Sequence, residues 1–373
     1  MRYPDDVPRL TDGVVVLRAH TADDIPRVVE QCNDPVSIAW TTVPTPYDER
    51  DAKEWIGTQI PHAWEAATTC SFAVEYDGRF AGTVDLRLHG GGEAEVGYGL
   101  HPAARGRGVM RRALTLLLDW GFAERALAVV HWRANAGNWA SRRTAWALGF
   151  SFGPTVPRLL EQRGERCDGW TGWIGADDPR EPAGRWLEPP VLETGGVRLR
   201  PWRDDDAERI AEAANDPLLR LRLPSSPLPR VVADVPAYLD RVRLMAATDL
   251  RLAWCVADRD TDRALGNVAL FEFDGDTAQV GYWAHPEARG RGAMSTAVDL
   301  AATWSMCGAD LGGLGLRRLY LLTAVDNVES RRLAERSGFT HVGTERASAE
   351  TASGGFADNA LYDRLGDDPQ AVR

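Results

Sequence analysis

The chain carries one ordered set of short motifs twice. Leu17-Arg18 returns as Leu199-Arg200, and Asn33-Asp34-Pro35 as Asn215-Asp216-Pro217, both at an offset of 182. Gly97-Tyr98 returns as Gly281-Tyr282, and Arg105 as Arg289, at an offset of 184. Asn138, Ser141, Arg142 and Arg143 return as Asn327, Ser330, Arg331 and Arg332, and Gly149-Phe150 as Gly338-Phe339, at an offset of 189. The offset grows in two steps, so the copies differ by few insertions. Matching order along nearly the whole chain implies a duplicated domain, with a period far too long for a solenoid. A length of 373 residues suits two domains. The stretch "GADDPREPAGRWLEPPVLETGG", rich in Pro, Gly and charge, reads as a linker. The expected domains are residues 1–178 and 190–373.

Each half has the same coarse order of elements. "VVVLR" and "VRLR" read as short strands, and "ADDIPRVVEQC" and "DDDAERIAEAAN" as helices with acidic first turns. Paired strands follow, "SFAVEY" with "FAGTVDLRL" and "AWCVAD" with "ALGNVALFEF". "AEVGYGL" and "AQVGYWA" are further strands, each leading through an Arg-Gly stretch to an apolar helix. "LAVVHW" and "LRRLYLLTA" are strands, and the Asn138 and Asn327 segments are helices that stop at Gly149 and Gly338. "DGWTGWI" and "DNALYDRL" close each half as strands, whereas residues 40–56 and 222–239 read as loops. The fold class is α+β, a mixed and mostly antiparallel sheet flanked by helices, present twice.

Bulk properties exclude several classes. No apolar run approaches membrane-spanning length, and the N-terminus lacks a signal-peptide core. The net charge of −11 argues against nucleic acid and suits an amine-bearing partner. Five scattered cysteines, without a Cys-x-x-Cys pair, read as free thiols in a reducing cytoplasm, and no metal site is expected.

The stretches "GYGLHPAARGRGVM" (97–110) and "GYWAHPEARGRGAM" (281–294) put glycines where a strand gives way to a helix. Free N–H groups at a helix start favour a phosphate or pyrophosphate. Gly106 and Gly108 permit close backbone approach, while Arg105 and Arg107 add positive charge. Neither a P-loop nor a dinucleotide fingerprint fits the spacing. A solvated helix start with convenient glycines is the plain alternative.

These stretches resemble the acetyl-CoA-binding motif of the GNAT acetyltransferase superfamily, Arg/Gln-x-x-Gly-x-Gly/Ala, in its ribosomal-protein N-terminal acetyltransferase branch. Arg105 and Gly108, like Arg289 and Gly292, match the first and fourth positions. Met110 and Met294 depart from the sixth, so their side chains must point away from the cofactor. The resemblance implies two tandem GNAT-like domains and a transfer of acetyl from acetyl-CoA to a primary amine. It implies that the backbone at Leu100 and Ala284 binds the pantetheine arm and polarises the thioester. Arg105, Gly106, Arg107, Gly108, Val109 and Met110 would cradle the pyrophosphate, as would Arg289, Gly290, Arg291, Gly292, Ala293 and Met294. Asn138 and Asn327 would hold the pantetheine arm, although each also suits a helix cap, and Asp326 with Glu329 fits a capping box.

Amine attack on a thioester needs a base, and Glu95 is the candidate; its counterpart is Gln279, which cannot accept the proton. The alternative for Glu95 is a solvated strand-end carboxylate. Many superfamily members carry a tyrosine seven residues after the helix asparagine, but Ala145 and Ala334 stand there. Ser141 and Ser330, one turn after the asparagines, are the candidate proton donors. His101 and His285 read as loop residues beside the cofactor entrance. The acceptor can be a protein N-terminus, a small amine or an aminoglycoside-like compound, and the protein a monomer or homodimer. A noncatalytic acyl-CoA-binding or interaction protein, with one or both halves degenerate, is the alternative reading.

Overall fold

The computed structural model describes residues 2–368; Met1 and residues 369–373, the outer ends of the expected domains, lie outside the described residues. The chain divides into two compact units, the first ending at Ala183 and the second beginning at Gly184.

Unit 1 is built on a nine-stranded sheet. β1 (Val15–Arg18), β2 (Thr69–Tyr76), β3 (Arg79–Gly90) and β4 (Glu93–Leu100) form an antiparallel run. β5 (Val129–Asn135) lies parallel to β4. β6 (Val156–Gln162) forms a hairpin with β7 (Glu165–Gly175), and β7 also pairs with β5. Two-residue strands at Leu10–Thr11 and Ser151–Phe152 border the sheet. A parallel pair needs a crossover, and helix α3 (Val109–Glu124) supplies it after α1 (Ile25–Cys32) and α2 (Pro35–Trp40). Its residues Ala113, Leu114, Leu117 and Leu118 are fully buried at helical spacing against the sheet. Helix α4 (Trp139–Trp146) follows β5.

Unit 2 repeats this order in eight strands. They include β8 (Val197–Arg200), β9 (Arg251–Asp258), β10 (Ala264–Asp274), β11 (Thr277–Ala284) and β12 (Arg318–Ala324). The hairpin of β13 (Thr340–Glu350) and β14 (Phe356–Leu365) closes the sheet. The helices that matter for the site are α5 (Ala207–Asn215), α6 (Pro217–Arg222), α7 (Ala293–Met306) and α8 (Val328–Arg336).

Two expectations need correction. The segments read as loops are partly helical: Glu49–Glu54 lies within the first and begins a helical run that continues to Glu65, and Val235–Ala247 starts within the second. Asp48 starts that first run by accepting from the N–H groups of Arg50 and Asp51. Pro236 sits in a first turn, where a missing N–H costs nothing, whereas Pro61 lies inside one helical run over residues 49–65, just after the π-helical turn Trp55–Gln59. The hairpin strands β6 and β13 had no signal because both are largely exposed and lack alternation.

The repeated Leu-Arg motifs hold the first helical turns of each unit. Arg18 donates both terminal nitrogens to Asp24, at 2.8 Å each, and Arg200 does the same to Asp206, at 2.7 and 2.8 Å. Both are bidentate pairs, the second buried and the first partly so, in which deleting one partner strands the other.

His20, two residues after Arg18, is buried edge-on to Trp55 with Nε2 3.1 Å from Thr83 Oγ1. Burial pushes its pKa down to about 3, with Arg18 adding to the shift and Asp24 opposing it. Unfolded, it titrates near the usual ~6.5. The unfolded chain therefore takes up the proton first on acidification. This stabilisation is complete above pH ~6.5 and is lost as pH falls toward ~3, on the order of 5 kcal/mol at most. Chemical denaturation across that range should show a shallower acid slope for His20→Gln than for the wild type.

Candidate functional site

The site begins where two neighbouring strands part. β4 and β5 are in register only at Glu93–Val129, Ala94–Val130 and Glu95–His131. Beyond Glu95, β4 runs on to Leu100 held by β3, and β5 runs on to Asn135 held by β7. The facing edges therefore diverge into a cleft. The His101 N–H bonds Ala81 C=O at 2.9 Å, so strand alternation turns the backbone groups of Leu100 and Tyr98 toward the open edge. Unit 2 repeats this: β11 and β12 pair only from Thr277–Arg318 to Gln279–Tyr320, and His285 N–H bonds Leu265 C=O. Ala284 thus occupies the place of Leu100.

Beyond the cleft lies the Arg-Gly loop. Gly108 precedes α3 with φ +72°, and Gly292 precedes α7 with φ +77°, a left-handed conformation that glycine tolerates. Neither helix start has a side-chain cap, so first-turn N–H groups remain open to an anion. Val109, Met110 and Met294 are buried in the core, so the loop presents their backbone rather than their side chains. In unit 2 a cavity of about 520 Å³ borders this loop, lined by Arg291, Gly292, Ala293, Thr296 and, from α8, Arg336.

Arg105 does not point outward from the loop. Its Nη2 donates to Asp34 at 2.7 Å, to Ser37 Oγ at 3.1 Å and to the Leu100 carbonyl at 3.2 Å. Asp34 in turn caps α2 through the Ser37 N–H. Arg289 bonds Asp216 and the Ala284 carbonyl, and Asp216 caps α6. Arg105 and Arg289 hold the carboxyls of Asp34 and Asp216 below the usual carboxylate range. The repeated Asn-Asp-Pro motif and the loop arginine are thus two halves of one clamp. Arg107 and Arg291 are exposed and have no ion-pair partner among the described residues, so they remain available to an anion.

Asn138 and Asn327 cap α4 and α8, each accepting from the backbone N–H of the serine three residues on. The expected capping box does not form: the Asp326 carboxylate accepts from Arg222. Ser141 Oγ lies 2.9 Å from the Tyr98 hydroxyl, and that hydroxyl donates to the Ser141 carbonyl. Trp132 Nε1 donates to the same Tyr98 oxygen at 2.8 Å. In unit 2, Tyr282 and Ser330 hydroxyls lie 2.6 Å apart. Burial pushes the Tyr98 phenol up, and Tyr282 up to about 12, so both stay protonated donors. A tyrosine does lie beside each serine, but on the cleft strand rather than the helix; its signal was the repeated Gly-Tyr pair.

The opposite sheet face carries Glu95. Its side chain is 13% exposed, with Oε1 2.9 Å from Arg87 Nη1 and Oε2 2.7 Å from Arg133 Nε. It is therefore neither a free base nor a solvated strand end. Asp85, a residue the sequence did not single out, ion-pairs with Arg87 at 3.1 Å. Burial raises the Asp85 carboxyl, and Arg87 opposes the shift. Gly97 makes room for this cluster: a Cβ there would lie 2.4 Å from Arg87 and 2.6 Å from Asp85. His101 and His285 are buried and structural. Each Nδ1 accepts a backbone N–H two residues on, which leaves Nε2–H for Glu30 and for Glu212.

The parted strands and the glycine loop recur at matching places in both units. The acetyltransferase (GNAT) domain model matches residues 15–151 and again 197–340. The chain belongs to the GNAT acetyltransferase family, with one such domain in each unit. Among solved structures, it is similar to ribosomal-protein-S5-alanine acetyltransferase from Vibrio fischeri, at 19% identity over 49% of this chain and 100% of that one, TM-score 0.40. It is similar to Mycobacterium smegmatis RimJ in complex with CoA-disulfide, at 19% identity over 50% and 93%, TM-score 0.43. A GNAT-family acetyltransferase from Bacillus anthracis matches at 16% identity over 48% and 99%, TM-score 0.41. No curated protein matches the chain. Among the described residues no helix is long and apolar enough to cross a membrane.

The clamp is directly testable. Asp34→Asn should cost about 1–2 kcal/mol of stability and speed amide hydrogen exchange at residues 105–111. Asp216→Asn should do the same at 289–295 and leave the first loop unchanged.

Proposed function

We propose that unit 1 transfers an acetyl group from acetyl-CoA to a primary amine, on a protein N-terminus or a small molecule. The observation that carries this reading is the two-sided cleft: a carboxylate on one face, a hydroxyl pair on the other, and open backbone N–H groups between them. Acetyl-CoA, when bound, supplies the thioester carbonyl and a thiolate leaving group. The open glycine loop and the free Arg107 fit its pyrophosphate, while Arg105 acts through the loop it clamps. Residues 105–110 in unit 1 and 289–294 in unit 2 form these two cradles. The amides of Asn138 and Asn327 keep their Nδ2 groups for the pantetheine arm.

The Leu100 N–H points into the cleft and suits polarisation of a carbonyl oxygen there. Glu95 receives the amine proton, through a water or after one arginine swings aside, because both its oxygens face guanidinium groups. Ser141 supplies a proton on the opposite face, with Tyr98 behind it. For that, the Ser141 hydroxyl must turn away from Tyr98.

For unit 2 a binding role without turnover is the better reading. Gln279 replaces Glu95, and Ala269 replaces Asp85 at the matching register against Gly281. The loop, Arg291 and the neighbouring cavity persist, and so does the Ser330–Tyr282 pair. Unit 2 thus keeps the features that suit CoA and lacks the carboxylates that suit an amine.

Glu95→Gln should lower kcat across a panel of primary amines by about 10²–10⁴-fold with CoA affinity unchanged. Undiminished transfer at every pH would remove Glu95 as the base. Ser141→Ala should lower kcat while leaving KM for the amine near its wild-type value.

A further inference from the structure

The two units differ most at one place on the cleft face that carries Glu95. In unit 1, Gly99 lies on that face by strand alternation with Glu95 and Gly97, one residue before Leu100. The space a side chain would take is filled by Gln31, from the last turn of α1. A Cβ on Gly99 would lie 3.2 Å from Gln31 Nε2. The Gln31 side-chain oxygen is buried and accepts no hydrogen bond among the described residues.

Unit 2 fills the same space differently. The counterpart of Gln31 is Ala213, and the counterpart of Gly99 is Trp283. Both are buried in one apolar cluster, where Trp283 stacks on Trp202 with ring centroids 5.7 Å apart. One copy of the fold therefore closes this volume with a dry indole. The other has no side chain at Gly99 and sets the Gln31 amide there, its oxygen without a partner among the described residues. A buried amide oxygen without a donor opposes folding. The Gln31 amide thus lies against the residue before Leu100, on the sheet face that carries Glu95.

We propose that Gln31 is the acceptor-specificity residue of unit 1: its side-chain oxygen accepts a hydrogen bond from an N–H or O–H that the acceptor carries beside its reacting amine. The fitting acceptors are α-amino peptides, whose first peptide N–H lies beside the amine, and vicinal amino alcohols. The inference rests on the amine-acetylating reading of unit 1. Gln31 is a positioning residue and exchanges no proton with the amine.

The experiment compares matched acceptors on the full chain with acetyl-CoA. One pair is alanyl-alanine amide and its ester-linked analogue, in which oxygen replaces the internal N–H. The other is 2-aminobutan-1-ol and its methyl ether. The wild type should favour the donor-bearing member of at least one pair by about tenfold in kcat/KM, the worth of a neutral hydrogen bond. The favoured pair tells a peptide acceptor from an amino alcohol. Gln31→Met should bring that ratio near one by lowering kcat/KM for the donor-bearing member, and should unfold no earlier than wild type. Gln31→Glu, which keeps an acceptor oxygen, should retain the preference. Equal use of both members by the wild type, or an unaltered ratio in Gln31→Met, would overturn the inference. Transfer to no amine would instead overturn the proposed function. In that event, calorimetric binding of the same pairs to the CoA-loaded chain decides the role of Gln31 by the same ratios.

Discussion

The early parting of β4 from β5 is the constraint on which the site depends. The strands share three register positions and then follow different neighbours, β3 on one side and β7 on the other. A sheet that stayed paired to Leu100 would use the backbone groups of Leu100 and Tyr98 in its own ladder. Parted, it leaves them facing a cleft whose two faces carry different chemistry. Unit 2 parts at the equivalent register, Gln279–Tyr320, so the geometry survived duplication even where the side chains did not.

Much of this was legible in the repeat. Motifs recurring in one order gave the two domains, the α+β class and the helix start at the glycine loop. Their recurrence also left a pairing unread. Arg105 and Arg289 repeat beside glycines and read as phosphate ligands, but each also repeats together with an aspartate that it clamps, Asp34 or Asp216. Residues 71 and 73 positions apart gave no sign of the pairing, since an ion pair across a fold leaves no local pattern. The Arg18–Asp24 and Arg200–Asp206 pairs are the same lesson at short range.

Other features were illegible for reasons of packing. Trp132 stands against Gly172, where a Cβ would come 3.3 Å from the indole, whereas unit 2 places Leu321 against Tyr362. The large side chain has changed strands, so neither position repeats. Arg331 reaches the Tyr362 hydroxyl, whereas the matching Arg142 stacks between Phe152 and Trp170. Gln31 and Gly99 exchange with Ala213 and Trp283 in the same complementary manner. Such pairs appear only when the two copies are compared in space, and they are where the units diverge in chemistry.

The central claim is that each parted strand pair, with its glycine loop, is a CoA site, although the two units treat an amine differently. Calorimetric titration of the full chain with CoA tests it most directly, alongside Gly108→Val and Gly292→Val. Each substitution forces a β-branched residue into a left-handed backbone at one loop. The account predicts two sites per chain in the wild type and one in each variant. A wild type that binds no CoA, or variants that each keep both sites, would contradict it.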